Sequence, residues 1–88
     1  MTSGGLQFVF LRNGQERSRV GLDVSRKVGK ACRRNTIKRR LREVFRNHRG
    51  LLAGNYDVVI RVIPGSGELY SYRNIEQAFR KFAEKTAG

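Results

Sequence analysis

The stretch from Arg26 to Arg49, RKVGKACRRNTIKRRLREVFRNHR, constrains the fold more than any other part of this chain. Within it, Ile37, Leu41, Val44, Phe45 and His48 stand at offsets of 0, 4, 7, 8 and 11 residues. That spacing gathers side chains on one face of an α-helix, and it predicts a helix from about Ala31 to Arg49. Eleven of the 24 residues are Lys or Arg and only Glu43 is acidic, so the segment carries ten of the chain's twelve net positive charges. At about 100° per residue, Asn35, Lys38, Arg39, Arg42 and Arg46 fall together opposite the apolar stripe. Arg34 projects near the edge of that stripe, where a freely solvated charge is not expected. Arg33 and Arg40 lie on a third side, where solvation or pairing with Glu43 competes with ligand contact. Solvated helix faces normally mix both signs. A face of cations with almost no acid is suited to tracking phosphates.

Composition bounds the rest. At 88 residues the chain is one small domain with a modest core. A net charge of +12 points to a polyanionic partner. Nucleic acid leads, with an anionic membrane surface second. The membrane is disfavoured, because no apolar run approaches the ~20 residues of a spanning helix and there is no Trp for an interfacial anchor. Met1 to Gly5 has neither the basic start nor the apolar run of a secretory signal. A single cysteine, Cys32, excludes an intramolecular disulfide and argues against a cysteine-based zinc site. These features suit a cytoplasmic nucleic-acid-binding module.

The remaining elements follow from periodicity and turn chemistry. Residues 1–5 read as flexible. Leu6 to Arg12 alternates as a strand, with Leu6, Phe8 and Phe10 on one face. Asn13-Gly14 is a hairpin signal, and Ser18 to Val24 answers as a second strand with Val20, Leu22 and Val24 inward. Ser25 to Lys30 is a basic loop with Gly29 as its flexible point. Gly50 is expected to end the helix, and Gly54-Asn55 to turn. Tyr56 to Ile63 reads as a central strand, broken by Pro64, Gly65 and Gly67. Ser71 is placed to cap a last helix to about Lys85, buried along Ile75, Ala78, Phe79 and Phe82. The order is β-β-α-β-α, an α+β fold with a small, mainly antiparallel sheet and two helices.

The finer pattern, K-V-G-K-A-C-R-R-N-T-I-K-R-R-L-R-E from Lys27, resembles the signature of the protein subunit of bacterial ribonuclease P. The positions that carry the resemblance are Lys27, Gly29, Ala31, Arg34, Asn35, Lys38, Arg39, Arg42 and Glu43. SRVGLDVS before it and GNYDVVIRVIPGS after it extend the likeness from about Leu6 to Ala83. Thr36 departs from the Arg-Asn-Arg core of the motif. The family's basic N-terminal helix, whose aromatic residues form a leader cleft with the sheet, has no counterpart here.

The resemblance implies a left-handed β-α-β crossover, which is uncommon. It implies a ribonucleoprotein endonuclease that removes the 5′ leader from precursor tRNA, in which a large RNA is catalytic and the protein alone is inactive. Magnesium would be held through the RNA and none by the protein alone. Arg34, Asn35, Lys38, Arg39 and Arg42 would contact the ribonuclease P RNA, with Arg26, Lys27, Lys30 and Arg46 extending the RNA-binding set. The leader would rest on the sheet's share of the cleft, Phe8, Val9 or Phe10. Guanidinium forks suit phosphate oxygens, and Asn35 can both donate and accept. Apolar surface left uncovered would favour self-association.

Other chemistry is thin. His48 lies on the apolar stripe and reads as a packed residue rather than a base. Asp23 and Asp57 are candidate carboxylates on strand segments, Asp57 reading as an ion-paired or capping group at the start of its strand, and Cys32 reads as a small buried thiol. Tyr70 and Tyr72 divide between base stacking and helix-entry packing. The alternatives are a general RNA-binding module, a DNA-binding protein, and an inactive truncated or designed mini-domain.

Overall fold

The most apolar segment, YDVVIRV, occupies the middle of the sheet. The computed structural model describes residues 1–64 and 70–87. Strands β1 (Thr2–Ser3), β2 (Leu6–Arg12), β3 (Arg19–Asp23) and β4 (Tyr56–Val62) lie in the order β1-β2-β4-β3. β2 runs antiparallel to both β1 and β4, whereas β3 runs parallel to β4. A parallel pair needs a crossover. Here it is supplied by the helix α1 (Ala31–His48), entered through a 3-10 turn at Arg26–Val28. The second helix, α2 (Tyr72–Ala87), packs beside α1.

Alternation in β2 and β4 sends Leu6, Phe8, Val58, Ile60 and Val62 to the helix side, all at most 2 % exposed. Ile37, Leu41, Val44 and Phe45 of α1 and Ile75, Ala78, Phe79, Phe82 and Ala83 of α2 close the core over them. Phe8 stacks on Phe82 at 4.7 Å, and Phe79 meets Phe8, Phe45 and Phe82 edge-on. Burying each such side chain contributes about 1.5–3 kcal/mol. Ser71 caps α2 as expected, its Oγ accepting from the Asn74 amide at 3.3 Å.

Three expectations are corrected. Asn13-Gly14 turns the chain, with Gly14 at φ +65°, but it makes no hairpin between β2 and β3. β4 takes the place beside β2, because its longer apolar run matches all seven residues of that strand. The loop instead anchors to the start of β4: the Asn13 amide donates to the Asn55 carbonyl at 3.1 Å, and Ser18 Oγ accepts from the Tyr56 amide at 2.9 Å. Gly50 is not a left-handed cap. Positive φ is confined to Gly4, Gly5, Gly14 and Gly29 among the described residues, and α1 runs on into a 3-10 turn at Arg49–Leu51. Residues 1–5, expected to be flexible, hold β1, and the Met1 ammonium donates to the Phe8 carbonyl at 3.0 Å. Gly65 and Gly67, expected to break β4, lie outside the described residues.

Candidate nucleic-acid interface

The buried stripe of α1 faces the sheet and α2, which turns its cationic side outward. Asn35, Arg39, Arg42 and Arg46 are all exposed on that side, and Lys38 is half-buried at its edge. Arg26 and Lys27 of the 3-10 turn and Lys30 at the head of α1 are exposed as well. The first turn of α1 contains no acidic residue, and its N-cap, Lys30, makes no side-chain capping bond. The amide end of the helix therefore adds to the positive potential of the cations.

Arg34 leaves the exposed set, as its position on the helix wheel predicts. It is half-buried, and its Nε donates to the Gly29 carbonyl at 3.2 Å, tying the entry of α1 to its first turns. Gly29 makes that approach possible, with φ +154° and ψ −168°, a region open essentially to glycine alone. On the opposite flank, Arg40 Nη1 donates to the Tyr70 carbonyl at 3.1 Å. Arg40 thus holds the entry of α2. Thr36 Oγ1 donates back to the Cys32 carbonyl at 3.0 Å.

The sheet's outer surface is the second exposed face. Of Phe8, Val9 and Phe10, only Val9 reaches it, at 52 % exposure. Phe8 is a core residue, and Phe10 is half-buried edge-on against Tyr56 and Phe82. The reason is the period of two along a strand: Leu6, Phe8 and Phe10 share the inward face. Leu11 and Val59 are the outward apolar residues missing from the expected set, at 75 % and 41 % exposure. The same alternation in LQFVFLR and YDVVIRV marks them.

Register arranges this face in rows. Val9, Val59 and Gly21 form an apolar row, because Val59 pairs with both of the others. On one side runs Gln7-Arg61-Asp23, where Arg61 Nε donates to Asp23 Oδ2 at 2.9 Å. On the other runs Leu11-Asp57-Arg19, where Arg19 binds Asp57 through two 2.9 Å bonds. Those bonds, and a 2.9 Å bond from Asn13, hold the Asp57 carboxyl below the usual carboxylate range. Both arginines of the face are matched by a carboxylate. The sheet face is therefore near-neutral, unlike α1.

The other candidate groups have structural partners. His48 packs between the helices, with Nδ1 3.0 Å from the Val44 carbonyl and Nε2 2.9 Å from Glu76 Oε2. Asp57 is ion-paired, as expected, and Asp23 is ion-paired as well. Tyr70 is buried and donates its hydroxyl to the Ile63 carbonyl, and Tyr72 accepts from Asn47 at 3.2 Å. Cys32 is the exception: the expected buried thiol is exposed, because it lies on the outward side of α1. Among the described residues, no three His, Cys, Asp or Glu side chains come together as a metal site. No described helix is long and apolar enough to cross a membrane.

Comparison with known proteins gives a consistent answer. The family model for ribonuclease P matches residues 1–87. The ribonuclease P protein component of Dictyoglomus turgidum is 38 % identical over 78 residues, covering 88 % of this chain and 66 % of the relative. That of Thermotoga maritima is 46 % identical over 52 residues, covering 59 % of this chain and 44 % of the relative. The chain spans from under half to about two thirds of the length of these relatives. The solved RNase P protein of Thermotoga maritima superposes with a TM-score of 0.86 at 28 % identity, over 100 % of this chain and 83 % of that one. The Staphylococcus aureus protein shares the fold, with a TM-score of 0.78 at 24 % identity.

Proposed function

This chain belongs to the ribonuclease P protein family, and from that premise we propose that it is the protein component of a ribonuclease P, which removes the 5′ leader from precursor tRNA. The observation that carries the reading is the outer side of α1. Asn35, Arg39 and Arg42 stand exposed there within the motif that marks the family, and Arg46 continues the line one turn beyond it.

These residues bind the ribonuclease P RNA by its phosphates. Arginine offers a rigid fork of donors that matches two phosphate oxygens, and Asn35 adds a group that donates and accepts. Arg26, Lys27 and Lys30 prolong the track beyond the helix start. Arg34 and Arg40 work indirectly, by fixing the two ends of the surface on which the track lies. Neutralising phosphates lowers the repulsion between a catalytic RNA and its RNA substrate.

The precursor leader, a single strand, rests on the outer sheet face around Val9, Leu11 and Val59. Single strands are held by contact with base faces as well as by charge, and this face offers apolar contact. Among the described residues no three His, Cys, Asp or Glu side chains come together for a metal, and activation of the attacking water falls to magnesium held by the RNA.

Reconstitution tests the reading. A bacterial ribonuclease P RNA is assayed on precursor tRNA at low magnesium, with and without the protein. Cleavage that appears only with both components supports it. Cleavage by the protein without RNA refutes the assignment of catalysis to the RNA. Binding that unrelated structured RNA competes away equally well points to a general RNA-binding module instead.

A further inference from the structure

β3 closes one side of the sheet, and among the described residues its outer edge is open. β4 pairs with it on one side only. Among the described residues, no backbone hydrogen bond from another segment reaches its far side. Such an edge is a template for another strand. Its sequence, Arg19-Val20-Gly21-Leu22-Asp23, places opposite charges at its two ends with glycine at the centre.

We infer that β3 pairs antiparallel with β3 of a second copy, about a twofold axis at Gly21, to make one continuous eight-stranded sheet. An isologous contact must be self-complementary, and this strand is. Rotation about Gly21 sets Arg19 opposite the second copy's Asp23, and Asp23 opposite its Arg19. Val20 and Leu22, both only half-buried in the single chain, meet the second copy's Leu22 and Val20 on the helix side.

The rows of the outer face continue across the junction. The Arg61-Asp23 pair of one copy runs into the Arg19-Asp57 pair of the other, giving alternating charges along a line. Opposite charges on facing strands are favourable where like charges are not. The apolar row Val9-Val59-Gly21 meets its own image. No lysine or proline, the usual guards of a sheet edge, interrupts β3.

Net charge opposes this contact. Each copy carries +12, and salt screens such repulsion. Pairing through β3 therefore strengthens as salt is raised, whereas binding of RNA phosphates weakens. The two associations are separable by that sign.

The first test is sedimentation equilibrium of the unmodified chain over a concentration series at low and high salt. The expected result is a mass that rises from 10.1 kDa toward twice that value, and rises further at high salt. A single chain at every concentration and salt overturns the inference, as does association that salt abolishes.

The second test locates the contact. Gly21→Cys is made in a Cys32→Ser background, with Gln15→Cys as an exposed loop control. A side chain at position 21 meets only Val59 Cγ2, at an ordinary 3.8 Å. Directly opposed antiparallel residues lie about 4.5–5.5 Å apart at Cα, within disulfide reach. Air oxidation should convert the position-21 variant to a covalent dimer and leave the control largely monomeric. A dimer by sedimentation without cross-linking at position 21, or equal cross-linking of both variants, overturns the assignment to β3. So does capture of an unrelated extended peptide in place of the second copy.

Discussion

Arg19 on β3 and Asp57 on β4 stand directly opposite each other in the parallel pair, and their side chains share two hydrogen bonds, Nε to Oδ1 and Nη2 to Oδ2, each 2.9 Å long. The pair sits at the end of the sheet where the loop after β2 returns, and Asn13 adds a third bond to the same carboxylate. It joins two strands that the sequence separates by an entire helix.

This ion pair sets an acid dependence. The bonds from Arg19, then Asn13, lower the Asp57 pKa in the folded chain. The folded state thus binds this proton less tightly than the unfolded state, so stability rises with pH across the titration. The contribution is complete above the unfolded carboxylate value, ~3.9, and is lost as pH falls through the lower folded value. Thermal melts of the parent and Asp57→Asn should differ most near neutrality and converge in strong acid. A gap that stays constant down to that range refutes the link.

The two faces of β2 should respond oppositely to substitution. Phe8 is 1 % exposed and stacks on Phe82. Phe8→Ala should cost about 3–5 kcal/mol, a large part of the stability of so small a domain. Val9→Ser changes an outward side chain and should stay within about 0.5 kcal/mol. Urea unfolding followed by circular dichroism measures both. Equal losses would place the strand in the wrong register.

Gly29 should tolerate no side chain. Its φ of +154° is strained for any L residue, and an added Cβ would lie 2.6 Å from Arg33 Cδ. Gly29→Ala should cost about 1–3 kcal/mol and disturb the bond from Arg34 to the Gly29 carbonyl. Chemical denaturation gives the loss, and the chemical shift of the Arg34 Nε proton reports the bond.

Removing cations from α1 should separate binding from folding. Arg39→Gln and Arg42→Gln alter exposed residues, and their melting temperatures should match the parent. Each should lower the slope of log K against log salt by about 0.7–0.9 for every phosphate that the variant no longer neutralises. Arg40→Gln, which removes the bond to the Tyr70 carbonyl, should destabilise the fold. Filter binding to ribonuclease P RNA over a salt series, paired with thermal melts, distinguishes the two classes.

Periodicity makes much of this molecule legible. The α1 stripe, the α2 stripe with its Ser71 cap, and the outward cluster of Asn35, Arg39, Arg42 and Arg46 all follow from residue spacing. A helical repeat depends on neighbours three and four positions away, so local sequence contains the information. Alternation in β2 also predicts that Phe8 points inward, which is why it serves the core and Val9 serves the surface.

Sequence by itself therefore determined β2, β3, β4 and both α-helices, their inward faces and the family motif on α1, but not β1. Tertiary structure decided which strands are neighbours, and so set Asn13-Gly14 as an anchored loop beside β4 rather than the tip of a hairpin. It also decided that Leu11 and Val59 share the outer face with Val9, that Arg40 holds the Tyr70 carbonyl, and that Arg19 meets Asp57. The physical reason is range. Face and helix are set within a few residues, whereas strand order is a competition among apolar surfaces distant along the chain, and β4 prevails at the centre by burying Val58, Ile60 and Val62 under both helices.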